Sequence, residues 1–148
     1  MQNAVDFEKM QEMLSEASFT NLYGFKLHKL GEGECTILVP FHSGLERPGG
    51  YVAGPVYMAV ADVAMWIAIA TSTGYDEARM TLTLEMKTNF LTGAKHEDIY
   101  CTAKVLKAGR RAIYGVAECV SASGTLLTHH TLTYMRPSKA EIKASSAE

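Results

Sequence analysis

Gly54-Pro-Val-Tyr-Met-Ala-Val-Ala-Asp-Val-Ala-Met-Trp-Ile-Ala-Ile-Ala-Thr71 holds a single charged residue, Asp62, in an otherwise uncharged run. Pro55 suits the first turn of a helix, where its missing N–H is no loss, and Gly74 is placed to end it. A helix that is apolar on all sides is surrounded by its own fold. The run falls short of the roughly 20 apolar residues that cross a membrane, and Asp62 interrupts it. On such a helix the neighbours of Asp62 are Met58, Ala59, Met65 and Trp66, so no local partner meets the charge. An isolated carboxylate in apolar surroundings is costly; it shifts its pKa or is kept for a purpose. The approach to the helix, Arg47-Pro-Gly-Gly-Tyr-Val-Ala-Gly-Pro55, is glycine-rich. It points toward a helix start whose N–H groups face a ligand.

Outward from this helix the pattern is that of strands. Beyond Gly74, apolar Leu82, Leu84, Met86 and Phe90 alternate with Thr81, Thr83, Glu85, Lys87 and Asn89, which predicts a half-buried strand over 81–90. Strand-like runs follow at 98–106, 111–120 and 125–136, and the separators Lys107–Arg110 and Ser121–Gly124 are short enough for hairpins. On the other side, 23–30 and 34–42 read as two strands joined through Gly31-Glu-Gly33, and 43–52 as an irregular loop. Phe7, Met10, Met13 and Leu14 form one stripe of an N-terminal helix over 6–17 with acid at its start. The polar tail from Pro137 is expected to fray. The reading is one α+β domain over 1–148, with an N-terminal helical segment within 1–20, a tail at 138–148, and about six strands wrapped around the helix.

The chain has 148 residues, 47% hydrophobic and 20% charged, with a net charge of −2. That balance argues against a surface that tracks nucleic-acid phosphates. Cys35, Cys101 and Cys119 are widely spaced in strand-like runs, which reads as buried thiols in a reducing compartment. The N-terminus lacks the basic start and apolar run of a signal peptide. A cytoplasmic protein with neither nucleic-acid nor membrane partners is the expectation. His28, His42, His96, His129 and His130 make no spaced metal pair, and no metal or redox cofactor is expected.

The order of elements resembles the hotdog fold, a curved antiparallel sheet wrapped around a long central helix, over about residues 20–136. The local residues resemble its PaaI-like branch, acyl-CoA thioesterases named for phenylacetate catabolism. That branch shows Asn-x-x-Gly-x-x-His-Gly-Gly, six residues, and then a catalytic Asp within the helix. Here Gly50, Gly54 and Asp62 fall in register, while Arg47 stands for the Asn, Ala53 for the His and Pro55 for the last Gly. Asn89–Gly93 and Lys107–Arg111 also resemble the family.

The resemblance implies hydrolysis of a small or medium acyl- or aryl-acyl-CoA thioester, with coenzyme A entering as part of the substrate. Asp62 then serves as general base or nucleophile and the Gly54 N–H polarises the carbonyl. Thr83 aligns with a hydroxyl that helps hold the water, although its parity places it with Glu85 and Lys87. Arg47, Gly50 and Ala53 occupy thioester-binding positions, and Arg47 can donate to a carbonyl or to the pantetheine arm. Tyr57, Met58 and Trp66 are candidates for the acyl pocket. Lys107, Arg110 and Arg111, with Lys104 nearby, are candidates for the coenzyme A phosphates. Gly54 and Asp62 stand about 12 Å apart along a helix rising ~1.5 Å per residue. The resemblance resolves this by pairing Gly54 of one protomer with Asp62 of another, in a dimer or a tetramer. The changes at Arg47 and Ala53 leave a second reading open, a non-catalytic acyl-CoA-binding module acting as a sensor.

Overall fold

The computed structural model describes residues 5–147. Its centre is helix α3 (Gly54–Thr73), capped at its end by Gly74, whose φ is 86° and whose N–H donates to the Ala70 carbonyl. Around it lie α1 (Phe7–Glu16), α2 (Ser18–Tyr23), β1 (Lys26–Gly31) and β2 (Glu34–Val39). After α3 come the single turn α4 (Tyr75–Ala78), β3 (Leu82–Phe90), β4 (Ile99–Ala108), β5 (Ala112–Ser121), β6 (Leu126–Met135) and α5 (Lys139–Ser145). The six strands form one antiparallel sheet in the order β1-β2-β4-β5-β6-β3. The predicted strands are therefore present, and the turn at Gly31–Gly33 closes the first hairpin with Gly33 at φ 67°.

The sheet packs on α3 chiefly through β2, β4 and β5. Val60, Ala61, Ala64, Met65, Ile67 and Ala68 of α3 are wholly buried against Cys35, Ile37, Cys101, Ala103, Ala117 and Cys119. All three cysteines are free and buried, as their strand positions suggest. The helix reaches 20 residues and its most apolar window averages a hydropathy of 1.5, enough by length to cross a bilayer. Of that window, 61% is buried inside the fold. Gly115 of β5 is what lets α3 come so close: a Cβ there would sit 2.4 Å from Met65 Cε and 2.5 Å from the Lys104 carbonyl. Gly115→Ala is expected to destabilise the fold by about 1–3 kcal/mol through overpacking, read as a lower denaturation midpoint.

Three expectations are corrected. The N-terminal helix breaks at Ala17, and a second helix, α2, occupies the start of the segment read as a strand, so β1 begins at Lys26. The tail does not fray throughout: Ser138 and Glu141 form a reciprocal capping box that starts α5, and Arg79 donates to the Ser145 carbonyl at 3.1 Å.

The third correction concerns β3. Leu82, Leu84 and Phe90 are 56–59% exposed and do not form a buried face. The register with β6 slips between Thr83 and Glu85, a β-bulge that inverts the alternation. Thr83 pairs with Tyr134, Met86 with Leu132 and Thr88 with His130, so these three share the face that looks toward α3. His130 is buried on that face and its neighbour His129 is not, in keeping with strand alternation. β3 is an edge strand, paired on one side only.

Candidate active site

α3 is not covered all round. Met58 is exposed, and Ala59, Asp62, Val63 and Trp66 are half-buried, forming one stripe that the sheet leaves free. Asp62 lies on this stripe and has partners in its own chain, which its apolar sequence neighbours do not suggest. The Thr83 hydroxyl donates to Asp62 Oδ1 at 2.8 Å. The Tyr134 hydroxyl reaches the same Oδ1 and also the Asp62 backbone carbonyl, the latter at 2.9 Å. Among the described residues Asp62 Oδ2 receives no hydrogen bond. One oxygen is therefore anchored by two hydroxyls and the other carries no hydrogen bond among the described residues.

The bulge in β3 is what brings Thr83 to Asp62; without it the hydroxyl would point with Glu85 and Lys87. Tyr134 was not among the residues picked out from the sequence. The available signal was its parity with Leu132 and His130 on the inward face of β6, but only the tertiary register shows that its hydroxyl ends on the α3 acid. Burial, first, and then the Asp62 charge and hydrogen bond push the Tyr134 hydroxyl well above the ordinary tyrosine range. It therefore stays protonated, as a donor, at any neutral pH. Tyr134→Phe and Thr83→Ala each remove a donor that holds Asp62 Oδ1 in place. Each variant is expected to lower kcat for thioester hydrolysis by more than it changes KM. A kcat unchanged in both would show that these hydroxyls do not position Asp62.

At the other end of the stripe, the α3 N-terminus is left open. Its cap, Ala53, offers no side-chain bond, and the Ala53 N–H donates to the Leu45 carbonyl at 2.9 Å. Among the described residues the Gly54 N–H has no acceptor. The loop before it is fixed by an Arg47–Gly50 turn and by a bridge between Glu46 and Val52, with Gly50 at φ 79°. Arg47 donates to the Pro48 carbonyl at 2.7 Å and lies over the Tyr51 ring, whose centroid is also 4.4 Å from Lys95 Nζ. Arg47 is thus a loop and ring partner in this conformation.

The acyl-pocket candidates separate. Tyr57 is 3% exposed and packs edge-on with Phe90, so it belongs to the core. Met58 is exposed on the stripe. Trp66 lines a cavity of about 270 Å³ that also contains Asp62, Thr83 and Tyr134. Its indole N–H donates to the Ala78 carbonyl at 2.6 Å, which locks the ring. Lys107, Arg110 and Arg111 are all exposed, on or beside the β4–β5 turn. That turn belongs to the Tyr134 end of the sheet, since Ile113 pairs with both Ala108 and Tyr134 and the Arg136 N–H donates to the Arg111 carbonyl. His42, the histidine nearest the loop in sequence, is turned away to the Tyr23 carbonyl. Among the described residues no three His, Cys, Asp or Glu side chains converge on a point.

A long helix in the embrace of a six-stranded antiparallel sheet defines the hotdog fold. The sequence profile described as the thioesterase superfamily matches residues 49–128, and the chain belongs to that family of thioester hydrolases. A Saccharolobus solfataricus protein described as an esterase is 28% identical over 105 residues, 71% of this chain and 68% of its own. Among solved structures, a Silicibacter protein described as a thioesterase is 26% identical with a TM-score of 0.81, over 93% of this chain and 96% of that one. A Haemophilus influenzae thioesterase superposes with a TM-score of 0.83 over 93% and 95% of the two chains, at 17% identity, a likeness of fold.

Proposed function

We propose that the protein hydrolyses a small or medium acyl- or aryl-acyl-CoA thioester to the free acid and coenzyme A. The observation that carries this reading is the asymmetry of Asp62, which lines the cavity: both side-chain hydroxyls hold Oδ1, and among the described residues Oδ2 receives no hydrogen bond. In the reaction Oδ2 takes the proton of a water that attacks the thioester carbonyl, or attacks the carbonyl itself and is released by water from an anhydride. The developing oxyanion is met by the Gly54 N–H of a second protomer. Arg47, Gly50 and Ala53 shape the loop that carries this N–H. Lys107, Arg110 and Arg111, at the Tyr134 end of the sheet, are the cations available to the coenzyme A phosphates. No metal or redox group is required by this chemistry.

The geometry of β3 supports the two-protomer site. Its start, Thr83, touches Asp62, while its end, Phe90, lies against Gly54: a Cβ on Gly54 would stand 3.3 Å from the Phe90 ring. If two copies pair their free β3 edges antiparallel, the Asp62 end of one meets the Gly54 end of the other, twice. Leu82, Leu84 and Phe90 on that edge and Met58 on the α3 stripe are the exposed apolar side chains such a pairing would cover. The decisive assay follows free-thiol release from a panel of acyl- and aryl-acyl-CoA thioesters. Release from at least one is expected, and none from any of them would overturn the reading.

A further inference from the structure

The cavity beside Asp62 is not made by α3 and the sheet alone. Its outer wall is Met13, Ala17, Phe19 and Thr20 from the α1–α2 corner, facing Val63 and Trp66 of α3. The corner is held in place: the Thr20 hydroxyl donates to the buried Leu14 carbonyl at 2.7 Å, and Gln11 Oε1 accepts from the Leu27 N–H at 2.7 Å. Met13 and Ala17 also line a second, larger space of about 1070 Å³ that runs along α1 past Tyr75. The two spaces therefore share one partition. The slot is lined by Phe19, Val63 and Trp66 with Thr81 and Thr83 beside Asp62, and the groove beyond carries Val5, Phe7 and Met10 together with Asp6, Lys9, Glu12 and Glu16.

We infer that the slot walled by Met13, Phe19, Val63 and Trp66 receives the acyl group of the thioester, and that Met13 sets its upper length. This rests on the hydrolytic reading of Asp62 above and adds to it the class of substrate, an unbranched apolar acyl group with no charge at its far end. A space of about 270 Å³ beside Asp62 is on the scale of a medium-length acyl chain. Each methylene buried there raises kcat/KM about fourfold. In wild type Met13 stops the chain there, while the groove beyond it also offers Val5, Phe7 and Met10 to further methylenes.

The test measures kcat/KM over saturated acyl-CoA thioesters from C4 to C14. Wild type is expected to rise to an optimum at medium length and then level or fall. Met13→Ala opens the partition, so its C12-to-C4 ratio is expected to rise at least tenfold over that of wild type; Met13→Phe, with a thermal melt to confirm folding, should lower it. A second readout needs no turnover and no change at Met13. Trp66 is the only tryptophan in the chain, so its emission reports directly on the slot. In the Asp62→Asn variant, octanoyl-CoA should shift that emission and coenzyme A alone should not. Thiol release with a length profile untouched in both Met13 variants, or an equal emission change with coenzyme A alone, overturns the slot while leaving the hydrolytic role of Asp62 standing. Absence of release from every thioester overturns the hydrolytic reading, and the slot with it.

Discussion

Asp62→Asn is expected to leave the protein folded and to lower kcat for thioester hydrolysis by ~10²–10⁴-fold, the range a positioned acid–base group contributes. The structural part of the expectation follows from the one-sided anchoring of the carboxylate. An asparagine can place its carbonyl oxygen where Oδ1 now accepts from Thr83 and Tyr134, and turn its amide toward the cavity in place of Oδ2. The contacts that hold α3 to β3 and β6 are then retained, and the melting temperature should change little. The chemical part is lost, because an amide neither takes a proton from water nor attacks a thioester carbonyl. KM should stay within a few-fold, since Asp62 is argued to act on the reacting atoms and not to hold the substrate. Equal thiol release by wild type and variant would sink the role given to Asp62, whatever the substrate.

Much of this site was legible from the chain because its parts are local. A run of apolar residues from Pro55 to Gly74 has only one helical reading, and a lone carboxylate inside it stands out on energetic grounds alone. The four later strands were legible for the same reason, since alternation is a property of neighbours in sequence. What was not legible depends on contacts across the fold. The bulge after Thr83 adds one residue to an edge strand, and no composition rule places it; parity counted through it assigns Thr83 to the wrong face. Tyr134 lies 72 positions from Asp62, and only the β3–β6 register brings its hydroxyl to the carboxylate. Tyr57 and Trp66 looked equivalent as aromatic residues on one helix. Their positions relative to the free stripe separate them, and the stripe itself becomes visible only once the sheet is seen to stop short of it. The α1–α2 corner illustrates the same limit, because the break at Ala17 turns a single amphipathic helix into a wall of the cavity.

Gly54→Pro and Asp62→Asn, each inactive alone, should restore about a quarter of wild-type activity when mixed one to one and allowed to exchange protomers. Proline at the first helical position removes the N–H; its Cβ would stand 3.3 Å from the Phe90 ring, which must give by a few tenths of an ångström, and a thermal melt checks that the variant folds. The backbone at Ala53 is already extended, with ψ 140°, as a residue before proline requires. Removal of one oxyanion donor is worth ~10²–10³-fold in kcat. A mixed dimer then has one site carrying both lesions and one carrying neither. With random exchange half the dimers are mixed, and half of their sites are intact, which gives the quarter. If the N–H and the carboxylate served one thioester within a single protomer, every site would carry one lesion and mixing would restore nothing. The outcome therefore decides between the two assignments without a structure of the complex. It also tests the β3 argument, because only a pairing that runs the two edges in opposite directions brings Thr83 of one copy to the Phe90 end of the other.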